Sequence, residues 1–136
     1  MCRSERQSGS AMNTDETILV VEDEVVLLNL ITTLLTSEGF SVLGARDGAD
    51  ALRIFESRKD EISLVLSDMG LPVYSGWEVY QRMKEIDPKV KVILATGYQS
   101  EAMRQELLAL GAKDFVSKPY AWDVLVKRIR EVIAAP

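Results

Sequence analysis

Short apolar runs alternate with longer amphipathic segments along the chain. The apolar runs are TILVV (17–21), SVLGA (41–45), SLVLS (63–67), KVILAT (91–96) and DFVSK (114–118). Such runs, apolar throughout in the first, third and fourth, are typical of buried parallel strands. Five other segments have apolar residues at three- and four-residue spacing, which predicts amphipathic helices. These segments are 24–39, 47–58, 76–86, 100–111 and 121–135.

The residues that flank the predicted helices agree with this division. Asp47 and Ser100 stand at N-cap positions, Gly39 and Gly111 follow the last periodic residues, and Pro88 lies just past the third helix. Strict alternation of strands and helices implies parallel strands joined by right-handed crossovers. The predicted fold class is therefore α/β, a single doubly wound (βα)5 domain with a five-stranded parallel sheet.

Composition limits the size and the class of the protein. The chain has 136 residues, 47% hydrophobic and 27% charged, which indicates one globular core and no membrane insertion. Residues 1–16 are polar and lack a hydrophobic period, so we predict a disordered leader or cloning remnant before a domain at 17–136. The single cysteine, Cys2, and the lack of an apolar signal segment favour a cytoplasmic setting.

Charge and residue content exclude several kinds of chemistry. A net charge of -5 argues against direct nucleic-acid binding, which depends on Lys and Arg neutralising phosphates. The chain contains no histidine, which removes the commonest general base, histidine-based triads and most zinc sites. Any chemistry must use carboxylates, hydroxyls and lysine.

Polar residues that could bind a metal or take part in a reaction stand where the predicted strands end. Ligands of doubly wound sheets bind outside the carboxyl ends of the strands. Carboxylates that converge there would repel one another without a cation, and an all-oxygen site open to water suits Mg²⁺, or else Mn²⁺. These residues are Glu22, Asp23 and Glu24 after the first strand, Asp68 after the third, Thr96 after the fourth and Lys118 after the fifth.

Asp68 has a further role in this hypothesis. Its oxygen could attack phosphorus and form an acyl phosphate, while Lys118 and Thr96 stabilise charge on the transferred group. Gly70 would permit a tight turn and bring its backbone carbonyl to the metal. The simpler alternatives are a turn cap for Asp68, a solvated loop lysine for Lys118 and an ordinary strand end for Thr96. For Glu24 we prefer the simpler role of charging the first turn of a helix.

Four segments together resemble the receiver domains of response regulators in bacterial two-component signalling: ILVVEDE, LVLSDMGLP, VILATGY and GAKDFVSKPY. The resemblance covers about residues 17–135 and implies the flavodoxin-like strand order 2-1-3-4-5. It implies the following roles: Glu22 and Asp23 as the acidic pair, Asp68 as phosphoacceptor, Gly70 as the metal carbonyl, Thr96 as the switch hydroxyl, Lys118 as the family's lysine, and Pro119 as the proline of a cis peptide.

The resemblance also points to positions that tune the phosphoryl state. Phe115 falls on the switch aromatic, and because it lacks a hydroxyl we expect it to favour the buried rotamer. Gly97, Tyr98 and Pro119 are modulating positions. A bulky ring at Tyr98 could hinder the hydrolytic water, so we predict a long-lived phosphoryl state.

The resemblance implies a signalling module rather than an enzyme, with self-catalysed phosphotransfer and autodephosphorylation only. Its phosphodonor would be a histidine kinase or a histidine phosphotransfer domain. Receivers of this family often pair through their fourth and fifth helices, so we expect at most a weak homodimer. SDMGLP and GWEVYQRMKEIDPKVKVILATGY resemble receivers attached to hybrid sensor kinases, which favours a piece excised from such a kinase over a stand-alone receiver.

Three other functions fit the sequence less well. An aspartyl-phosphate phosphatase of the haloacid-dehalogenase type needs a second aspartate two residues after the first, where this chain has Gly70. A flavodoxin-like cofactor carrier would have its phosphate repelled by the acids Glu22, Asp23 and Glu24. A degenerate receiver that only binds partners would have lost Asp68 or Lys118, and both are present.

Overall fold

The computed structural model describes residues 16–71, 75–96, 105, 108–109 and 114–136. Five strands in this part of the chain form one parallel sheet. Their order is β2-β1-β3-β4-β5, which confirms the predicted topology. The strands are β1 (Thr17–Val21), β2 (Ser41–Ala45), β3 (Ile62–Asp68), β4 (Val92–Thr96) and β5 (Asp114–Ser117).

Four helices are described along their whole length. They are α1 (Val25–Ser37), α2 (Gly48–Arg58), α3 (Gly76–Ile86) and α4 (Trp122–Ala134). Gln105, Leu108 and Ala109 are also helical. The rest of the predicted helix at 100–111, with its expected end residues Ser100 and Gly111, lies outside the described residues. The α/β alternation predicted from the sequence is thus confirmed wherever it can be followed.

Local interactions explain where the helices begin and end. The side chain of Asp47 accepts a hydrogen bond of 2.7 Å from the backbone N–H of Asp50, as expected of an N-cap residue. Gly39 follows α1 with a φ of 99°, a left-handed conformation that glycine adopts readily. Helix α3 ends at Ile86, two residues before Pro88.

Residues 1–15 of the predicted leader lie outside the described residues. The next residue, Glu16, contacts the domain through both its backbone and its side chain. Its carbonyl accepts a 3.0 Å hydrogen bond from the N–H of Ser41, and its carboxylate accepts one from the hydroxyl of Ser63.

The core has two layers, one on each face of the sheet. Successive strand residues point to opposite faces, so a strand covered on both sides must be apolar throughout. On one face, buried side chains from the strands pack against α2 and α3, and on the other face against α1 and α4. The first layer includes Leu19, Val65, Leu94, Phe55 and Met83; the second includes Ile18, Leu66, Ile93, Leu35 and Ile129.

The register of the sheet aligns the ends of the central strands. Asp68, the last residue of β3, pairs with Ala95 of β4, and Thr96 pairs with Ser117 of β5. The carboxyl ends of β3, β4 and β5 therefore finish within a residue or two of one another. This alignment places the side chains at those ends around a common edge.

Candidate functional site

The predicted site residues meet at the carboxyl edge of the sheet. Glu22 directly follows β1, Asp68 and Thr96 end their strands, and Lys118 directly follows β5. The three residues other than lysine are buried, with 1% of Glu22, 8% of Asp68 and 5% of Thr96 exposed. Two ionisable carboxyl groups at such depth require compensating partners.

Three carboxylates form a cluster at this edge. Glu22, Asp23 and Asp68 each offer an oxygen atom, and these atoms all lie within 4.8 Å of one another. Burial raises the pKa of Glu22 and the nearby charge of Asp68 adds to this, although hydrogen bonds from Lys118 and from the N–H of Glu24 act in the opposite direction. The site therefore holds more negative charge than one ammonium group balances. An all-oxygen donor set with excess negative charge fits a hard divalent cation such as Mg²⁺.

Lys118 connects two of these carboxylates. Its Nζ atom lies 3.1 Å from Oε1 of Glu22 and 3.6 Å from Oδ2 of Asp68. Burial alone would lower the pKa of Lys118, but the contacts with Glu22 and Asp68 outweigh it and raise the pKa. The lysine therefore stays cationic at neutral pH.

The backbone of Lys118 is hydrogen-bonded to the end of β4. Its N–H donates a 2.9 Å hydrogen bond to the carbonyl of Thr96, which extends the β4–β5 pairing beyond the strand. The peptide bond between Lys118 and Pro119 is cis, as the resemblance implied for this proline. The hydrogen bond to Thr96 keeps the backbone of Lys118 beside the end of β4.

The segment after β3 is held by backbone hydrogen bonds. Met69 donates to the carbonyl of Ala95 at 2.9 Å, and the N–H of Gly70 donates to Oδ1 of Asp68 at 3.3 Å. A Cβ atom at Gly70 would meet nothing within 4 Å, so the space beside this residue is open. The role of its carbonyl as a metal ligand stays a prediction.

The remaining predicted residues occupy different surroundings. The hydroxyl of Thr96 donates to the carbonyl of Val116 at 3.4 Å, a long hydrogen bond that leaves it available to another acceptor. Phe115 is buried, with 9% exposed, in the same core layer as Leu94. Gly97 and Tyr98 lie outside the described residues.

Glu24 differs from its sequence-based interpretation. We expected its charge in the first turn of a helix, but α1 begins at Val25 and Glu24 is the N-cap residue, with no hydrogen bond from its side chain to the helix. Its N–H donates instead to Oε2 of Glu22 at 3.2 Å. Glu24 thus helps to orient the Glu22 carboxylate, whose other oxygen contacts Lys118.

Two residues near the site had no role in the sequence-based prediction of the site. Gly76, the first residue of α3, donates a 3.0 Å hydrogen bond to the carbonyl of Met69 and packs directly against the backbone of Asp68. The only sequence signal for it is a glycine directly after a serine N-cap. Tyr120 packs beside Trp122, with ring centroids 5.4 Å apart. Burial raises the pKa of its phenol, and the charges of Glu22 and Asp68 raise it further.

None of the helices in the described ranges is long and apolar enough to cross a lipid bilayer.

Comparison with known proteins identifies relatives over most of the chain. RegX3, a sensory transduction protein of Mycolicibacterium smegmatis, is 39% identical over 85% of this chain and 50% of its own length. Sporulation initiation phosphotransferase F of Bacillus subtilis is 34% identical over 88% of this chain and 94% of its own. The chain spans about half the length of most of the curated relatives compared, including the probable transcriptional regulators ycf27 of Porphyra purpurea and Pyropia yezoensis.

Solved structures agree with these relatives. A receiver domain protein from Clostridium thermocellum superimposes with a TM-score of 0.81 at 32% identity, covering 87% of this chain and 94% of that one. A CheX–CheY–BeF3–Mg²⁺ complex from Borrelia burgdorferi gives 0.81 at 27% identity, covering 88% and 90%. The family model for the response regulator receiver domain matches residues 18–130. The chain therefore belongs to the response regulator receiver domain family, whose members are signalling modules of two-component systems.

Proposed function

We propose that this domain accepts a phosphoryl group on Asp68 from a phosphohistidine of a partner kinase or histidine phosphotransfer domain. The observation that supports this most directly is the position of Lys118, whose ammonium lies within 3.6 Å of an Asp68 oxygen at the edge of the sheet. A nucleophilic carboxylate beside a fixed cation is what transfer of an anionic group requires. The phosphorylated domain would then act by changing its contacts with other proteins.

The reaction breaks one bond and forms one bond. A carboxylate oxygen of Asp68 attacks phosphorus, an O–P bond forms, and the P–N bond to the donor imidazole breaks, with the electron pair and then a proton going to the imidazole nitrogen. Lys118, whose Nζ lies 3.6 Å from Oδ2 of Asp68, would stabilise negative charge on the oxygens of the transferred group. The Thr96 hydroxyl, with only a long hydrogen bond to Val116, is available to donate to another of those oxygens.

The acidic cluster is the proposed cation site of this reaction. Glu22, Asp23 and Asp68 would hold Mg²⁺ or Mn²⁺, together with the backbone carbonyl of Gly70. When bound, the ion supplies positive charge that offsets the carboxylates and the incoming phosphoryl oxygens. The carboxylates would then no longer repel the donor.

The phosphoryl state ends by hydrolysis within the same site. We propose that the domain catalyses this autodephosphorylation itself and that Gly97 and Tyr98 set its rate. The phosphorylation state of Asp68 would be coupled to the surface through Thr96, Phe115 and Pro119. The carbonyl of Thr96 accepts a hydrogen bond from the N–H of Lys118, and Phe115 lies on β5, the strand that leads to Lys118. The signal would be a shift between two arrangements of these residues.

Two relatives support these proposals through what their names state. The Bacillus subtilis relative is a phosphotransferase, and this chain covers nearly its whole length. The Borrelia burgdorferi structure is a complex with Mg²⁺, BeF3 and a second protein.

We also retain the predictions of a cytoplasmic location, of no direct nucleic-acid partner, and of at most a weak homodimer through residues 100–111 and α4. Sedimentation of the phosphorylated and unphosphorylated domain would test the last of these.

Intact mass after incubation with acetyl phosphate and MgCl₂ tests the central proposal. We expect one phosphoryl adduct on the wild-type domain, and none on Asp68→Asn or in excess chelator. An adduct that persists in Asp68→Asn would place the reaction on another residue. A folded wild-type domain that binds Mg²⁺ yet gains no phosphoryl group, even from a histidine phosphotransfer donor, would favour a domain that only binds partners.

A further inference from the structure

The first residue of α3 touches the backbone of the proposed nucleophile. A Cβ atom at Gly76 would lie 2.4 Å from the carbonyl oxygen of Asp68 and 2.8 Å from Cα of Met69. Both are backbone atoms, which cannot rotate away as the end of a side chain can. Because glycine has no side chain, Gly76 allows α3 to lie closer to the backbone of Asp68 and Met69 than any other residue type at this position would.

Backbone conformation does not explain this glycine. Gly76 has no φ in the left-handed region, whereas Gly39 does, with a φ of 99°. Alanine could adopt the same dihedral angles at Gly76 without strain, so the requirement for glycine is one of space alone. The relevant neighbour is the Asp68–Met69 peptide.

Hydrogen bonds hold the backbone of Met69 on both sides of its Cα atom. The N–H of Met69 donates to the carbonyl of Ala95 in β4, and the carbonyl of Met69 accepts from the N–H of Gly76 at 3.0 Å. A capping box fixes the start of α3, since Ser75 Oγ accepts from the N–H of Glu78 and the Glu78 carboxylate accepts from the N–H of Ser75. The backbone directly after Asp68 is thus held between β4 and the capped start of α3.

We propose that Gly76 is a positioning residue, which sets the distance of the Asp68 carboxylate from Lys118 and from the other two acids through direct contact with the Asp68 backbone. A methyl group there must move the peptide or the helix by about 1 Å to reach a normal contact distance, and an error of that size costs on the order of 100-fold in reactions that depend on alignment. This inference rests on the proposed phosphoryl transfer to Asp68.

Gly76→Ala tests the inference against a matched control. In Gly44→Ala, on β2, the three atoms nearest to the new Cβ would all belong to the Leu28 side chain, with Cδ2 the closest at 3.4 Å. We expect the maximal phosphorylation rate, at saturating acetyl phosphate and Mg²⁺, to fall about 10- to 100-fold in Gly76→Ala and less than about twofold in Gly44→Ala. Calorimetric titration should also show weaker Mg²⁺ binding in Gly76→Ala alone. Rates are expressed per folded molecule, from urea unfolding curves.

A Gly76→Ala domain that is folded and keeps both the wild-type rate and the wild-type Mg²⁺ affinity would overturn the inference. If that variant does not fold, Ser75→Ala replaces it, because loss of the cap frees the first turn of α3 without a clash. We then expect a rate per folded molecule about threefold or more below wild type, and an unchanged rate would overturn the inference. Wild-type and Asp68→Asn samples separate the two proposals. A wild-type domain that gains no phosphoryl group overturns both of them. If the wild type gains a phosphoryl group on Asp68, the proposed function stands and the Gly76 variants test only the positioning role of Gly76.

Discussion

The ammonium group of Lys118 lies closer to Glu22 than to Asp68, with Nζ 3.1 Å from Oε1 of Glu22 and 3.6 Å from Oδ2 of Asp68. Glu22 is separated from Lys118 by 96 positions in the sequence and is almost completely buried. The lysine therefore serves two carboxylates, one proposed to hold a cation and one proposed to accept a phosphoryl group. Its removal should slow the transfer without weakening metal binding.

Lys118→Met should separate binding from chemistry. Loss of the ammonium removes a charge that stabilises the transferred group, so we expect the phosphorylation rate to fall about 100- to 1,000-fold. Mg²⁺ affinity should stay the same or rise, because the carboxylates lose their competing cation. Calorimetry and intact mass measure the two quantities. Lys89→Met, on an exposed lysine, is the matched control, and a parallel loss of metal affinity and rate in Lys118→Met would contradict the assignment.

Asp23→Asn should weaken the cation site directly. The change keeps the size of the side chain but removes one of the three negative charges within 4.8 Å of one another. We expect Mg²⁺ affinity to fall at least about tenfold, a loss that even outer-shell changes produce in metal sites. Asp60→Asn, on an exposed aspartate, should leave the affinity unchanged. Equal affinities for Asp23→Asn and wild type would remove Asp23 from the metal ligands.

The positions of the main site residues were predictable because they depend on strand ends. Asp68 and Thr96 each end a run whose apolar character marks a strand covered on both faces, and Lys118 follows the shorter, mixed run of β5. Parallel strands bring such ends to one edge. The strand order needed the family resemblance in addition, since alternation alone does not fix which strands are neighbours.

Details that depend on three-dimensional packing were not predictable. The contact of Gly76 with Asp68 depends on how closely α3 approaches β3, which no local pattern encodes. The shorter distance of the Lys118 ammonium to Glu22 than to Asp68 depends on the conformations of long side chains that lie far apart in the sequence. Glu24 was misassigned by one position, because helix ends are the least certain part of a periodic pattern and α1 begins one residue later than expected.

Phe115→Ala should destabilise the domain strongly, although Phe115 lies on β5, an edge strand of the sheet. The ring is buried in the core layer formed with α2 and α3, so its removal leaves a cavity as well as losing apolar burial. We expect the free energy of unfolding to fall by about 3–5 kcal/mol, measured by urea denaturation. Val124→Ala, where 58% of the side chain is exposed, should change it by less than about 0.5 kcal/mol. Similar small losses for both variants would mean that Phe115 is not a core residue in solution.

Tyr98→Ala should shorten the phosphoryl state if the ring at this position hinders the hydrolytic water. Tyr98 lies outside the described residues, so the expectation rests on its place two residues after Thr96 and on the family resemblance. Decay of the phosphorylated domain, followed by intact mass after removal of the donor, should be faster than in wild type. Gln81→Ala, an exposed position on α3, controls for nonspecific effects, and unchanged decay in Tyr98→Ala would contradict the hypothesis.

Glu22 should contribute less to the stability of the metal-free domain as the pH rises, because burial raises the pKa of its carboxyl group above the unfolded value of 4.5. A carboxyl group with a raised pKa binds its proton more tightly in the folded state, so its stabilising contribution is complete below pH 4.5 and is lost as the pH rises through the folded pKa. At neutral pH the buried charge is then a net cost. Glu22→Gln removes that cost, and we expect this variant to be more stable than wild type at pH 7 in chelator, with the difference disappearing below pH 4.5.

Mg²⁺ should reverse this order of stability. At a concentration 100 times its dissociation constant, a ligand that binds only the folded state adds about 2.7 kcal/mol to the free energy of unfolding. Wild type should gain this amount, whereas Glu22→Gln, with one carboxylate fewer, should gain less. Urea unfolding between pH 4 and 7, with Mg²⁺ or with chelator, measures both effects, and Glu56→Gln on an exposed glutamate should follow wild type throughout. If Glu22→Gln is instead the less stable protein in chelator at pH 7, the contact with Lys118 outweighs the burial of the Glu22 charge.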